Sequence, residues 1–185
     1  MTEILHPAKR KVISLIGMMG AGKSTTGRNL ARRLNIDFND SDSEIEKLKS
    51  KKLTQIFEEE GEEKFKEFEK KIIKQIVEKN KPQVLATGGS VFDEPKNRQI
   101  LRNQTVTVWL KVDLNTLIER VCRRDTRPIL EQEGVDKVQI MTELYEKRLS
   151  LYEEADIHID TTNLTRVDII EEIIRRLSSF IRNYN

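Results

Sequence analysis

Eight consecutive residues, Gly17-Met18-Met19-Gly20-Ala21-Gly22-Lys23-Ser24, match the pattern G-x-x-x-x-G-K-[ST], and Thr25 follows them. At ordinary residue frequencies its four fixed positions recur by chance in about one such chain in 200. Glycines let successive backbone N–H groups turn inward around a phosphate, where a side chain or a negative φ would block them. A helix starting at Lys23 adds the positive end of its dipole. Lys23 can then reach the β- and γ-phosphates of a nucleotide, and Ser24 can offer its hydroxyl to Mg²⁺. The residues that would wrap the phosphates are Gly20, Ala21, Gly22, Lys23, Ser24 and Thr25.

A metal-supporting acid must come from elsewhere. The apolar run Gln83–Ala86 ends in Thr87-Gly88-Gly89, not in the aspartate that holds Mg²⁺ in many phosphate-loop ATPases. A guanine reader Asn-Lys-x-Asp is also missing, since Asn80-Lys81-Pro82-Gln83 lacks the aspartate. The candidates are Asp40 and Asp42, two residues apart after a short strand pattern. In an extended segment both would point the same way. One could face Mg²⁺ while the other takes a proton from a substrate hydroxyl. The bland alternative is an Asx-rich turn that caps the next helix. Arg123, Arg124 and Arg127 form a third group, able to meet transferred phosphate charge from a closing loop, or simply to face solvent.

These residues need a scaffold. Val12–Ile16 is short, β-branched and apolar, so it reads as a buried strand feeding the glycine loop. Lys23–Leu34 then carries Leu30, Ala31 and Leu34 on one helical face. Further strands are expected over Ile36–Asn39, Gln83–Ala86, Thr105–Leu110 and Ile157–Ile159. Helices are expected over Ser43–Lys49 and Glu62–Lys79, after Asp113, and along a stripe from Val167 to Ile181. Strands alternating with helices give an α/β fold with a parallel sheet covered on both faces. Asp125–Asp136, with Pro128 and Gly134, is the least regular stretch and reads as a mobile lid.

Composition narrows the field. Among 185 residues, 33 basic and 31 acidic side chains leave a net charge of +2, which argues against nucleic acid as a partner. Charged residues make up 35% of the chain against a typical quarter, so buried faces must be narrow stripes. A single cysteine, Cys122, and the separated His6 and His158 argue against a disulfide framework or a zinc site. No apolar run approaches membrane-spanning length. The expectation is one domain over 1–185, cytoplasmic and monomeric, with residues 1–10 as a disordered tail.

The ordered series of motifs resembles the shikimate kinase family, small P-loop kinases of aromatic biosynthesis, from about Val12 to Thr161. It runs through Gly17–Thr25, Asp40-x-Asp42, Ile56-Phe57-x-x-x-Gly61-Glu62 and Phe65-Lys66-x-x-Glu69. Ala86-Thr87-Gly88-Gly89-Ser90-Val91, Arg127-Pro128-Ile129-Leu130 and Arg148-x-x-Leu151-Tyr152-Glu153-Glu154-Ala155-Asp156 complete it. The resemblance implies a three-layer sandwich of about five parallel strands flanked by helices, with a mobile lid. It implies ATP-dependent phosphorylation of the 3-hydroxyl of shikimate.

Carried over by position, Lys23 and Ser24 would serve phosphate and Mg²⁺, with Asp40 supporting the metal through water. Asp42 would hold the shikimate hydroxyls and orient the attacking one. Gly88 and Gly89 would face the substrate, and Lys66 and Arg148 would meet its carboxylate. Arg127 would stabilise the transferring phosphoryl group, and Arg120 would stack on adenine. Two positions depart from the family: Lys66 replaces the usual Arg, and Ser90 a third Gly. A lysine is a point charge where arginine offers a planar fork, so weaker carboxylate recognition is expected. The alternatives are a related kinase acting on gluconate or a nucleoside monophosphate, and a catalytically idle nucleotide-binding relative.

Overall fold

A computed structural model describes residues 10–123 and 136–183. Residues 1–9 of the expected tail lie outside them, as do Arg124, Arg127 and the expected lid up to residue 135. Arg10, counted with that tail, is held in place: its guanidinium pairs with Asp156 at 3.3 Å.

Five parallel strands form one sheet in the order β2-β3-β1-β4-β5. They are β1 (Val12–Ile16), β2 (Asp37–Asp40), β3 (Gln83–Ala86), β4 (Thr105–Lys111) and β5 (Ile157–Asp160). Central strands of such a sheet are covered on both faces, and their sequences show it. All four residues of β3 are buried, as are six of the seven in β4. Each fully buried Leu or Ile contributes about 1.5–3 kcal/mol, and Leu15, Ile16, Leu85 and Leu110 are all at 1% exposure or less.

The helices are α1 (Lys23–Leu34), α2 (Ser41–Lys49), α3 (Leu53–Glu78), α4 (Pro95–Gln104), α5 (Leu114–Cys122), α6 (Lys137–Tyr152) and α7 (Arg166–Arg182). On one side α1 packs on β2 and β3 and against α7, which covers β5. On the other, α4 packs on β4 and against α3. The expected three-layer α/β sandwich is therefore present. β1 connects outward to β2 on one side, whereas β3 connects through α4 to β4 on the other side of β1. The loops after β1 and β3 thus diverge at the carboxyl edge, the place where open α/β sheets leave a crevice.

Three differences from the sequence expectation matter for that crevice. α2 starts at Ser41, so Asp42 stands in its first helical turn and not in an extended segment. Asp40 is its N-cap, accepting from the N–H groups of Asp42 and Ser43 at 3.1 and 3.3 Å. The capping role of Asp40 is real and fixes where both carboxylates lie. α3 begins at Leu53 and not at Glu62, and is broken at Gly61, whose φ of +80° suits glycine. Its first segment packs on α2 and becomes a wall of the crevice. Finally, α4 and α6 were not anticipated, and α6 carries Arg148.

Candidate active site

The loop between β1 and α1 has Gly17, Gly20 and Gly22 at φ values of +137°, +82° and +86°. A Cβ on Gly17 would lie 2.8 Å from the carbonyl oxygen of Leu110, so that position is closed to side chains on space as well as on φ. Gly22 is the N-cap of α1, which leaves its first N–H groups directed into the loop. Lys23 is 6% exposed, and its ammonium donates to the carbonyls of Gly17 at 2.6 Å and Met18 at 2.8 Å. The result is a glycine loop closed on one buried cation at the N-terminus of a helix. Arg120, exposed on α5, donates to the Gly20 carbonyl at 3.2 Å, which brings it beside the same loop.

Ser24 stands exposed in the first turn of α1, and Asp40 ends β2 half-buried. A hydroxyl and a carboxylate are hard oxygen donors, and Mg²⁺ at a nucleotide takes one or two such protein oxygens together with phosphate and water. The seat and its donors fit a nucleotide phosphate with Mg²⁺.

The end of β3 forms the neighbouring wall. Thr87 donates to the Leu15 carbonyl, and the Gly88 N–H donates to the hydroxyl of buried Ser41 at 2.9 Å. Space is tight at Gly88. A Cβ there would meet Asp42 Oδ1 at 2.7 Å and Glu69 Oε1 at 2.9 Å, so two carboxylates converge on its α-carbon. Glu69, 1% exposed on α3, accepts from the Ser90 hydroxyl at 2.9 Å. The Gly89 carbonyl accepts from Tyr152 at 2.9 Å, and burial pushes that phenol's pKa well above its ordinary value. A Cβ on Gly89 would lie 3.4 Å from the Met19 N–H, so the phosphate loop and this wall touch here.

Beyond Gly89 opens a cavity of about 420 Å³. Met19, Leu53, Phe57, Phe65, Leu144 and Leu151 line its apolar side, with Phe57 and Phe65 edge to face at 5.9 Å. Its charged side carries Lys66 and Lys147 with Arg148, against Glu62, Asp93 and Glu94. Arg148 is 5% exposed and forms a two-pronged pair with Asp93, at 2.9 Å from Nε and 2.7 Å from Nη2. Lys66 is more open and pairs with Glu62 at 2.5 Å. That bond, aided by Glu94 and Asp93, raises the Lys66 pKa and keeps it cationic.

The structure thus gathers Lys23, Ser24, Asp40, Asp42, Gly88, Gly89, Lys66, Arg148 and Arg120 along one sheet edge. Lys66 and Arg148 face one cavity, although each already has an acid partner. Asp42 sits behind Gly88, beside the cavity and not on its lining. Arg127 lies outside the described residues. Sequence reasoning missed Ser41 and Asp93 as parts of this wall, and read Glu69 and Tyr152 only as parts of motifs. Each acts through tertiary contact and carries no spacing signature of its own.

The sequence model of the shikimate kinase family matches residues 19–178. The chain belongs to the shikimate kinase family. It is 38% identical over 176 residues to a shikimate kinase of Caulobacter vibrioides, covering 95% of this chain and 86% of that one. Among solved structures, shikimate kinase from Acinetobacter baumannii in complex with shikimate superposes with a TM-score of 0.85 at 35% identity. That match covers 91% of this chain and 93% of the other. The shikimate kinase of Bacteroides thetaiotaomicron gives 0.80 at 31% identity, covering 92% and 98%. Shikimate kinases use ATP, which matches the phosphate seat.

Proposed function

We propose that this protein transfers the γ-phosphoryl group of ATP to the 3-hydroxyl of shikimate, releasing 3-phosphoshikimate and ADP. The observation that carries the reading is the junction at Gly89, where a nucleotide-phosphate seat abuts a cavity with cations for a carboxylate and an apolar wall for a ring. The bound relative from Acinetobacter baumannii, a shikimate complex, supports the choice of acceptor.

In this reading the loop amides and Lys23 bind the β- and γ-phosphates, and Arg120 lies over the adenine. Ser24 and Asp40 hold Mg²⁺, which neutralises phosphate charge when bound. Arg148 and Lys66 fix the acceptor's carboxylate, and the Gly88–Gly89 backbone lets its ring approach the loop. Asp42, anchored in the first turn of α2, orients the 3-hydroxyl and takes up its proton. Arg127 meets the charge of the transferring group. Most of the rate then comes from positioning and charge, which suits phosphoryl transfer. The protein works as a cytoplasmic monomer. Gluconate and a nucleoside monophosphate are disfavoured as acceptors, and the presence of Lys23, Asp40 and Asp42 speaks against an idle relative.

The test is ADP release measured in parallel with shikimate, gluconate, AMP and CMP. Shikimate alone should raise the rate far above the background ATPase. A shikimate rate equal to that background overturns the proposal.

A further inference from the structure

Arg148 presents a problem of geometry: a guanidinium has two usable edges, and only one can face the acceptor. Buried at 5% exposure, it also needs a counter-charge. Asp93 meets both needs. Its carboxylate takes the Nε and Nη2 hydrogens, at 2.9 and 3.0 Å from Nε and 2.7 Å from Nη2. Nη1 is thereby turned to the other side, 3.7 Å from where a Cβ on Gly89 would stand, at the wall shared with the phosphate loop. Asp93 is itself held from two directions. Its N–H donates to the Ser90 carbonyl at 2.9 Å, and its carbonyl and that of Phe92 accept from Arg98 at 3.4 and 2.8 Å.

Resting on the shikimate reading, we infer that Asp93 is a positioning residue for Arg148: it occupies the Nε edge so that the Nη1 edge is the one offered to the acceptor's carboxylate. Charge supports the arrangement. The cavity's three cations, Lys66, Lys147 and Arg148, are matched by Glu62, Asp93 and Glu94. An anionic acceptor therefore meets a balanced site and is selected by the fork's orientation more than by excess positive charge. The opposite arrangement, Asp93 competing with the acceptor for Arg148, predicts the opposite sign when Asp93 is neutralised.

The experiment compares wild type, Asp93→Asn and Asp93→Ala in steady-state kinetics, and by calorimetric titration with shikimate and with its methyl ester. Asp93→Asn keeps shape and loses charge. It should raise the KM for shikimate about tenfold, with kcat within about twofold and the KM for ATP unchanged, because ground-state carboxylate binding is what it weakens. Affinity for the methyl ester should barely move. Asp93→Ala should do the same more strongly and melt earlier; if it does not fold, the Asn variant decides alone. Shikimate binding that is unchanged or tighter in Asp93→Asn overturns the inference, as does an equal loss for acid and ester, the mark of general disruption. A wild type without shikimate turnover overturns the parent reading and this one with it. Normal wild-type turnover with an unmoved KM in Asp93→Asn overturns this one alone.

Discussion

The loop Gly17–Thr25 and the cavity beyond Gly89 handle charge in opposite ways. The loop presents backbone: three positive-φ glycines, a helix N-terminus and one lysine resting on two carbonyls of its own loop. The cavity presents side chains from α3, the turn after β3 and α6, and its best-placed cations come with acids, Arg148 with Asp93 and Lys66 with Glu62. A backbone seat is written in consecutive residues and serves any ligand with phosphates. A side-chain cavity is assembled over long sequence distance and can be tuned one pair at a time. In this chain Lys66 and Ser90 both line the cavity.

The largest expected effect would test the backbone seat. Lys23→Ala should reduce turnover by at least about 100-fold, since a charge aimed at the transferring group is worth about 2.7–4 kcal/mol. Near-normal kcat would mean the seat does not do the chemistry, and the contrast would collapse.

Gly88→Ala comes next, at the border of the two regions. A Cβ there needs space held by Asp42 and Glu69 at 2.7 and 2.9 Å. We expect kcat/KM for shikimate to fall about 100-fold, with a far smaller change in ADP affinity, readable by titration. Equal losses for both ligands would mean the wall and the loop act as one unit.

Lys66→Ala should act on the cavity alone, raising the KM for shikimate several-fold while kcat and ATP affinity stay near wild type, with Lys66→Arg retaining activity. Unchanged shikimate binding in the alanine variant would leave Arg148 as the sole carboxylate partner.

The smallest effect expected is a flat line. Glu62, with Glu94 and Asp93, raises the Lys66 pKa above its ordinary 10.5. The ammonium stays charged below that value and is lost only as pH rises through it. The KM for shikimate should therefore show no step between about pH 6 and 9 that Lys66→Arg removes. Such a step would place Lys66 in a different environment.

The same division governs what could be read from sequence. β1, the glycine loop and α1 were legible because β-branched residues, glycines and a short apolar stripe lie in immediate succession. α6 was not, because one of the slots on its buried face is filled by Arg148, between Met141 and Tyr152, and the stripe looks interrupted. α4 hid for a related reason: of its three buried residues, Asn97, Leu101 and Asn103, two are polar. The pairing of Asp40 with Asp42 was found, but its geometry was not, since an Asp can cap a helix or continue a strand and only the fold decides. Lys66 and Arg148 were joined through the family pattern. Of the acids beside them, Glu62 was named only as the end of a motif, and nothing in the sequence singles out Asp93.

The place of β1 in the sheet sets a timetable for the chain's birth. Val12 pairs with Gln83 on one side and Thr105 on the other, so the central strand leaves the ribosome long before either neighbour exists. Such non-local parallel pairing folds slowly and leaves apolar strands waiting. The phosphate loop waits with it, because Gly17 takes its form against the backbone of Leu110 at the end of β4. The nucleotide seat is therefore synthesised well before the strand end that gives it a shape ATP could recognise.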